Sequence, residues 1–199
     1  MTHPSVEHFA RAMQFKGLAP CPQDGRWEIP TDSDICTEVE TIALVFGFVR
    51  ALRPRLVVET GCNMGCVTKA ILFALQANDP HATEPVSAVC TCDVDINCVN
   101  VVRLLADQHV KVGGGTNLYC FQGTGLEVLQ RHPGADLYWI DSSDESRMAE
   151  LHWLREHGKK GAVVLTHDTN LIGHVTEVHR TLPNWVLLPG PRGLGIATL

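Results

Sequence analysis

From residue 55 onward, short apolar segments alternate with amphipathic ones, and this alternation limits the fold more than any other feature of the sequence. Strands are predicted at 55–60, 86–92, 118–122, 136–140 and 162–166. Each of these strands is followed by a segment with helical periodicity. Because the strands are continuous apolar runs, both faces of their sheet must be covered, which is typical of parallel strands flanked by helices. The sequence therefore predicts an α/β protein.

The helices and a terminal hairpin complete the predicted architecture. One helix starts near residue 33 or 34 and runs to 52, where Pro54 stops it. The helices that follow the five strands are predicted at 67–76, 96–108, 126–132, 147–157 and 175–182. The last two segments, 185–188 and 194–199, flank a Pro- and Gly-rich turn and are typical of an antiparallel hairpin. We expect a three-layer sandwich whose seven-stranded sheet is mostly parallel, with an antiparallel hairpin at its C-terminal end.

Length and charge limit the class of protein. A chain of 199 residues with no long Pro/Gly/Ser linker is expected to form one domain, over 35–199, preceded by a short segment, 1–34, that contains a predicted helix at 5–16. The net charge of −6 argues against nucleic-acid binding, which needs clustered Lys and Arg. Apolar runs fall well short of the roughly 20 residues that cross a bilayer. The N-terminal residues do not resemble a signal peptide, so we expect a cytoplasmic protein with no membrane partner.

Eight cysteines are the unusual feature of the composition. They do not form repeated CxxC pairs, so a structural zinc site is disfavoured. In a reducing compartment, disulfides are not expected either, and free cysteine packs as a small apolar residue. We predict that most of them pack in the core or in loops.

The residues that follow the first strand indicate where a ligand binds, because open α/β sheets bind ligands at the carboxyl ends of their strands. Here the sequence is Glu59-Thr60-Gly61-Cys62-Asn63-Met64-Gly65. Gly61 suits a tight turn, and Gly65 lets the next helix pack closely on the sheet. This differs from the GxGxxG pattern of dinucleotide-binding proteins. The carboxylate of Glu59 would repel a pyrophosphate but attract an ammonium or sulfonium group.

The next two strand ends carry further candidate ligand-binding residues. Asp93 follows the second strand, where an acid can accept hydrogen bonds from two ribose hydroxyls. After the third strand, Gly123 and Thr124 are small enough to leave room for the edge of a base. Three consecutive strand ends would then frame an amino acid, a ribose and a base.

In the order of these features the sequence resembles the class I S-adenosylmethionine-dependent methyltransferases, from about residue 35 to the C-terminus. The resemblance implies a Rossmann-like fold and S-adenosylmethionine as the cofactor. The residues that would contact this cofactor are Glu59, Gly61, Cys62, Asn63, Gly65, Asp93, Gly123, Thr124 and Asp141.

The ends of the fourth and fifth strands, Asp141-Ser142-Ser143-Asp144 and His167-Asp168-Thr169, resemble those of small-molecule O-methyltransferases, including macrocin- and cephalosporin-hydroxylase-like relatives. In cation-dependent members the matching residues bind Mg²⁺, which implies Asp141, His167 and Asp168 as metal ligands. His167 stands where the family usually has an acid, and histidine suits softer ions than Mg²⁺. The expected catalytic residues are Asp141, Asp144 and His167, with Asp144 or His167 as general base where no metal is bound.

The function implied is methyl transfer to a hydroxyl oxygen of a small molecule, with residues 1–34 as a lid or wall of the acceptor site. A metal-dependent hydroxylase on the same scaffold and a non-catalytic cofactor-binding partner subunit remain as alternatives, and a homodimer stays open. His167 and Asp168 could also be a plain hydrogen-bonded pair at a strand end. Glu150, His152 and His157 are expected on a solvent-exposed face of their helix. His179, on the next helix, is also expected at the surface.

Overall fold

The computed structural model describes residues 37–111, 115–170, 173–188 and 192–199. The expected lid over 1–34 and the predicted helix at 5–16 lie outside the described residues. Among the described helices, none is long and apolar enough to cross a membrane.

Six helices and seven strands alternate along the described chain. The helices are α1 (Val39–Leu52), α2 (Cys66–Asn78), α3 (Ile96–Lys111), α4 (Gly125–Arg131), α5 (Asp144–His157) and α6 (Gly173–His179). The strands are β1 (Leu56–Thr60), β2 (Ser87–Asp93), β3 (Thr116–Gln122), β4 (Leu137–Ile140), β5 (Val163–His167), β6 (Val186–Leu188) and β7 (Leu194–Thr198).

The seven strands form one sheet in the order β3-β2-β1-β4-β5-β7-β6. Strands β1 to β5 are parallel, whereas β7 is antiparallel to both β5 and β6. The predicted fold class and the C-terminal hairpin are therefore confirmed. Strand order reverses between β1 and β4, and the chain leaves these two neighbours toward opposite edges of the sheet. A crevice opens at such a reversal, at the carboxyl ends of the strands.

Alternation along the strands divides the core into two apolar clusters, one on each face of the sheet. On β1, Val57 belongs to the cluster with α1 and α2, and Val58 to the cluster with α4, α5 and α6. The first cluster takes Ile42, Val45 and Val49 from α1, at helical spacing. Helices therefore cover both faces, and polar side chains are left to the strand ends.

Two helix boundaries differ from the sequence-based prediction. Helix α5 begins at Asp144 instead of 147, because Ser143 takes the extended conformation of an N-cap and two acids, Asp144 and Glu145, favour the first turn. Helix α1 begins at Val39 instead of 33 or 34, since Glu38 is extended, and its side chain makes no capping hydrogen bond.

Two polar side chains that were expected at the surface are fully buried, and those expectations are wrong. Glu150 lies on the inner face of α5 and accepts a hydrogen bond from Thr60 Oγ1 at 2.9 Å. His179 packs against β5 and β7, where its ring lies beside Gly195 and its Nδ1 lies 3.2 Å from Thr166 Oγ1. Glu150 is buried because it lies on the same face of the helix as Leu151 and Leu154, which are buried too. The hydrophobic pattern of the sequence does not show this, because Glu150 is itself polar.

The described cysteines agree with the packing prediction. Cys62, Cys66, Cys90 and Cys92 are buried, Cys98 and Cys120 are half-buried, and all six are free thiols. Hydrogen bonding to Cys120 and then burial raise the pKa of the Cys62 thiol, which keeps it protonated. Cys62 therefore packs as a small buried residue in the turn after β1.

The turn after β1 depends on Gly61, because the backbone there is left-handed and tightly packed. Its φ is 72°, and a Cβ at this position would collide with the carbonyl group of Asp141 at the end of β4. The amides of Gly61 and Cys62 both donate to Cys92 O, at 3.0 Å each. This turn therefore joins the carboxyl ends of β1, β2 and β4.

We expect Gly61→Ala to lower the free energy of unfolding by about 2–4 kcal/mol, from the left-handed conformation and the collision with Asp141. Gly47→Ala is the matched control, because Gly47 lies exposed on α1 with open space around it. That change should raise the free energy of unfolding by up to about 1 kcal/mol. Urea denaturation of both variants measures the difference. Equal effects of the two substitutions would contradict the role given to Gly61.

Candidate active site

A cleft of about 410 Å³ opens at the carboxyl ends of β1 to β5. Most of the residues predicted from the sequence line it. They are Glu59, Gly61, Cys62, Asn63, Asp93, Gly123, Thr124, Asp141 and Asp168. Because these residues come from five separate strand ends, only the parallel register of the sheet brings them together.

Three predicted residues take other positions. Gly65 is the left-handed residue, φ 75°, from which α2 starts, and its Cα packs against α3, where a Cβ would come 2.7 Å from Leu105. His167 is fully buried behind the cleft wall. Asp144 is exposed on the first turn of α5, and the structure does not bring it into the cleft.

Asp93 closes the glycine-containing turn. Its Oδ2 accepts the amide of Asn63 at 2.9 Å, and its Oδ1 accepts the amide of Asp95 at 2.9 Å. Each oxygen of a carboxylate accepts more than one hydrogen bond, so Asp93 can hold the turn and still bind hydroxyl groups in the cleft. Val94, next to it, lines the same cleft and is 69% exposed, which leaves an apolar surface beside the carboxylate.

Glu59 is a buried carboxyl group on the floor of the cleft. Its Oε2 accepts a hydrogen bond from Thr68 Oγ1 at 2.5 Å, and only 1% of the residue is exposed. Burial raises the pKa of Glu59 to about 7. The hydrogen bonds of Thr68 and Thr91 lower this pKa in part, and the nearby charges of Asp141 and Asp93 raise it further. A cation that enters the cleft would favour the ionised form of this group.

His167 is held between carboxylates. Its Nε2 lies 2.8 Å from Glu38 Oε2, and its Nδ1 lies 3.1 Å from Asp141 Oδ1. Burial alone would lower the pKa of His167, but the charges and hydrogen bonds of Asp141 and Glu38, with the charge of Asp168, raise it to about 10. At neutral pH the ring is an imidazolium that orients the Asp141 carboxylate.

Arg147 joins the ends of β4 and β5. Its guanidinium, of which only 3% is exposed, contacts both aspartates, with Nη2 at 3.1 Å from Asp141 Oδ1 and Nη1 at 3.3 Å from Asp168 Oδ2. The same group donates to the backbone carbonyls of Ser142, from Nε at 3.1 Å and Nη2 at 2.5 Å, and of His167, from Nη1 at 2.9 Å.

Arg192 approaches Asp168 from the other side. Its Nε and Nη2 lie 2.6 Å and 2.8 Å from the two oxygens of Asp168, and its Nε lies 3.8 Å from Glu38 Oε1. Asp168 is in the left-handed region, φ 61°, an uncommon conformation that turns its side chain toward both arginines. Burial alone would raise the pKa of Asp168, but the charges of His167, Arg192 and Arg147 lower it below its ordinary value.

The three predicted metal ligands do lie together. One atom each of Asp141, His167 and Asp168 lies within 4.8 Å of the others, which is close enough to hold an ion. Their donor atoms, however, are already engaged by Arg147, Arg192 and Glu38. A metal ligand histidine must offer a lone pair, and both nitrogens of His167 face carboxylates. As arranged, this donor set does not fit a divalent cation.

Sequence reasoning missed Glu38, Arg147 and Arg192. Arg147 was the only one with a local signal, since it lies one helical turn before Glu150 on the inner face of α5. Glu38 and Arg192 lie 129 and 25 residues from His167, and no short-range pattern connects positions so far apart.

Comparison with solved structures shows the same fold in several methyltransferases. The O-methyltransferase of Bacillus cereus, solved with S-adenosylhomocysteine, is 14% identical with a TM-score of 0.61, over 98% of this chain and 89% of that chain. A Podospora anserina methyltransferase, also bound to S-adenosylhomocysteine, is 12% identical with a TM-score of 0.66, over 100% and 97%. The Streptomyces achromogenes O-methyltransferase involved in tomaymycin synthesis, in complex with S-adenosylmethionine, is 14% identical with a TM-score of 0.65, over 100% and 91%.

No curated protein sequence matches the chain. The sequence profile of a family described as a methyltransferase domain, in contrast, matches residues 58–169, which is more than half of the chain. The matched region runs from the middle of β1 to just beyond β5, and so contains the glycine turn, Asp93, Asp141 and His167. The sheet order and this match confirm the resemblance found in the sequence: the chain belongs to the methyltransferase-domain family, as a class I methyltransferase.

Proposed function

We propose that this protein transfers the methyl group of S-adenosylmethionine to a hydroxyl oxygen of a small molecule. The observation that carries the proposal is the Asp141 carboxylate, which lines the cleft beside the glycine turn and is held from behind by two cationic groups. O-methyltransferases among the similar structures support the choice of oxygen as acceptor.

The cofactor is proposed to lie across three neighbouring strand ends. Glu59 would face its amino acid portion, Asp93 the two ribose hydroxyls, and Val94 with Gly123 and Thr124 the adenine ring. The exposed apolar side chain of Val94 supports this placement, since a flat ring that covers it would remove apolar surface from water. Cys62, Asn63 and Asp141 would complete the contacts.

Bound S-adenosylmethionine supplies a methyl group on a positively charged sulfonium, and its transfer leaves a neutral thioether. The protein then has to orient the acceptor hydroxyl and remove its proton. We assign proton removal to Asp141, because its carboxylate faces the cleft. His167 would position Asp141 instead of acting as base, since both ring nitrogens face carboxylates. Asp144 would take no part, because it is exposed outside the cleft.

The segment 1–34 is proposed to bound the acceptor side of the cleft. The support is its position in the sequence, since it ends three residues before Thr37, which lines the cleft. The hydroxylase alternative would need His167 as an iron ligand, and its ring nitrogens are engaged as described.

Calorimetry with S-adenosylhomocysteine tests the cofactor. Asp93→Asn should weaken binding at least about tenfold, because an amide cannot accept hydrogen bonds at both of its ends. Asp95→Asn is the matched control, two residues away and exposed, where Asn also suits the start of α3. Absence of binding to the unaltered protein, or equal loss in both variants, would exclude the proposed placement.

Binding of S-adenosylmethionine should depend on pH through Glu59. Its pKa rises from an ordinary 4.5 to about 7 in the free protein, so below pH 7 it is largely protonated and must lose its proton to attract the cationic cofactor. Affinity should therefore rise with pH up to about 7 and level off above it, with proton release detected calorimetrically in buffers of different ionisation enthalpy. Glu59→Gln should bind more weakly and lose the pH dependence, whereas the exposed Glu84→Gln should keep it.

Methyl transfer from radiolabelled S-adenosylmethionine to a panel of simple phenols, catechols and primary amines tests the acceptor atom. We expect label on the hydroxyl compounds, and Asp141→Asn should lower kcat by about 10²–10⁴-fold while S-adenosylhomocysteine still binds. Asp144→Asn should match the unaltered enzyme. Label on amines alone, or loss of activity in Asp144→Asn with Asp141→Asn intact, would show that the proposal is wrong.

A further inference from the structure

We infer that Arg147 takes the place of a divalent cation between Asp141 and Asp168, so that the acceptor site is built around a guanidinium and works without a metal ion. The inference concerns the ligand atoms themselves, and it does not depend on which acceptor is methylated. It reverses the expectation that Asp141, His167 and Asp168 bind a metal.

The position of the guanidinium supports the inference. It lies between the two aspartates that would be shared by a metal, at 3.1 Å from Asp141 Oδ1 and 3.3 Å from Asp168 Oδ2. Only 3% of the side chain is exposed, so this is a buried group between strand ends and not a surface ion pair. An ion bound by both aspartates would occupy the space that the guanidinium fills.

All five N–H donors of Arg147 are used within the protein. Two contact the aspartates, two converge on the carbonyl of Ser142, and one reaches the carbonyl of His167. A guanidinium has five donors in a fixed planar arrangement, so none is left for a ligand. Arg147 is therefore a positioning residue that holds the ends of β4 and β5 at a fixed separation.

The two aspartates already have cationic partners that are charged at any ordinary pH. Asp141 contacts the guanidinium of Arg147, and Asp168 contacts those of Arg147 and Arg192. Adding a divalent cation beside the buried guanidinium of Arg147 and the half-buried one of Arg192 would place like charges within a few ångströms of one another, which is unfavourable away from water. Removal of the charge of Arg147, in contrast, would leave two aspartates without their shared partner.

Manganese binding tests the inference, because the loss of the electron paramagnetic resonance signal of free Mn²⁺ reports bound metal without any need for activity. The unaltered protein should bind no Mn²⁺ at sub-millimolar concentration. Arg147→Met keeps the length of the side chain but removes its charge, and it should bind Mn²⁺ at least about tenfold more tightly. Asp168→Asn in addition to Arg147→Met should abolish that binding. Arg155→Met, an exposed arginine on the same helix, should behave like the unaltered protein.

Binding of S-adenosylhomocysteine to each variant serves as the check of folding, and its failure in the unaltered protein would count against the proposed cofactor and not against this inference. If Arg147→Met does not fold, the unaltered protein is compared with Asp168→Asn and Arg147→Lys. Mn²⁺ binding to the unaltered protein that Asp168→Asn removes would overturn the inference. No Mn²⁺ binding to the unaltered protein, and none to a folded Arg147→Lys, would support it. A folded Arg147→Met that binds no more Mn²⁺ than the unaltered protein would also overturn it.

Discussion

The pairing of β1 with β4 is the constraint on which the rest of the site depends. These strands are 80 residues apart in sequence, yet Thr60 lies beside Ile140 in a parallel register, so the residues that follow them emerge at the same level. Gly61 then packs directly on the backbone of Asp141, so the turn that would hold the cofactor touches the main chain of the residue whose carboxylate would receive the proton. A shift of register by one residue would turn the alternating core side chains to the wrong faces, so packing on both faces fixes this meeting point.

The carboxylates at this edge are stabilised in two different ways. Burial raises the pKa of Glu59, and its neutral hydroxyl partners offset that rise only in part, so the carboxyl group retains a proton to a higher pH. Asp168 has cationic partners, and stays ionised in spite of similar burial. Ion pairs buried to this extent contribute little net stability, because desolvation offsets most of the attraction, but removing one partner is costly. The network is better understood as a means of fixing side-chain positions than as a source of stability.

Local patterns were sufficient for the fold and for most of the residues that line the cleft at the ends of β1, β2 and β3. Apolar strands and helical periodicity gave the order of elements, and the residues after β1, β2 and β3 lie where their spacing predicts, since each is close to a strand end. The contacts at the ends of β4 and β5 could not be predicted in the same way. His167 and Asp168 were found, but their partners Glu38 and Arg192 come from distant positions, and Arg147 was hidden in a helix expected to face solvent. Which side chain neutralises a buried carboxylate is decided by tertiary packing, which spacing along the chain does not record.

Glu38 has a consequence for the carboxylate in the cleft. Glu38 is the residue before α1, and its neighbour Thr37 lines the cleft. The side chain of Glu38 contacts His167, at the end of β5. His167 in turn holds Asp141. The chain entering the domain and the carboxylate in the cleft are thus mechanically linked through one imidazole ring. A substitution that moved the Glu38 carboxylate would therefore be felt at Asp141, two contacts away, although the two residues are 103 positions apart in the sequence.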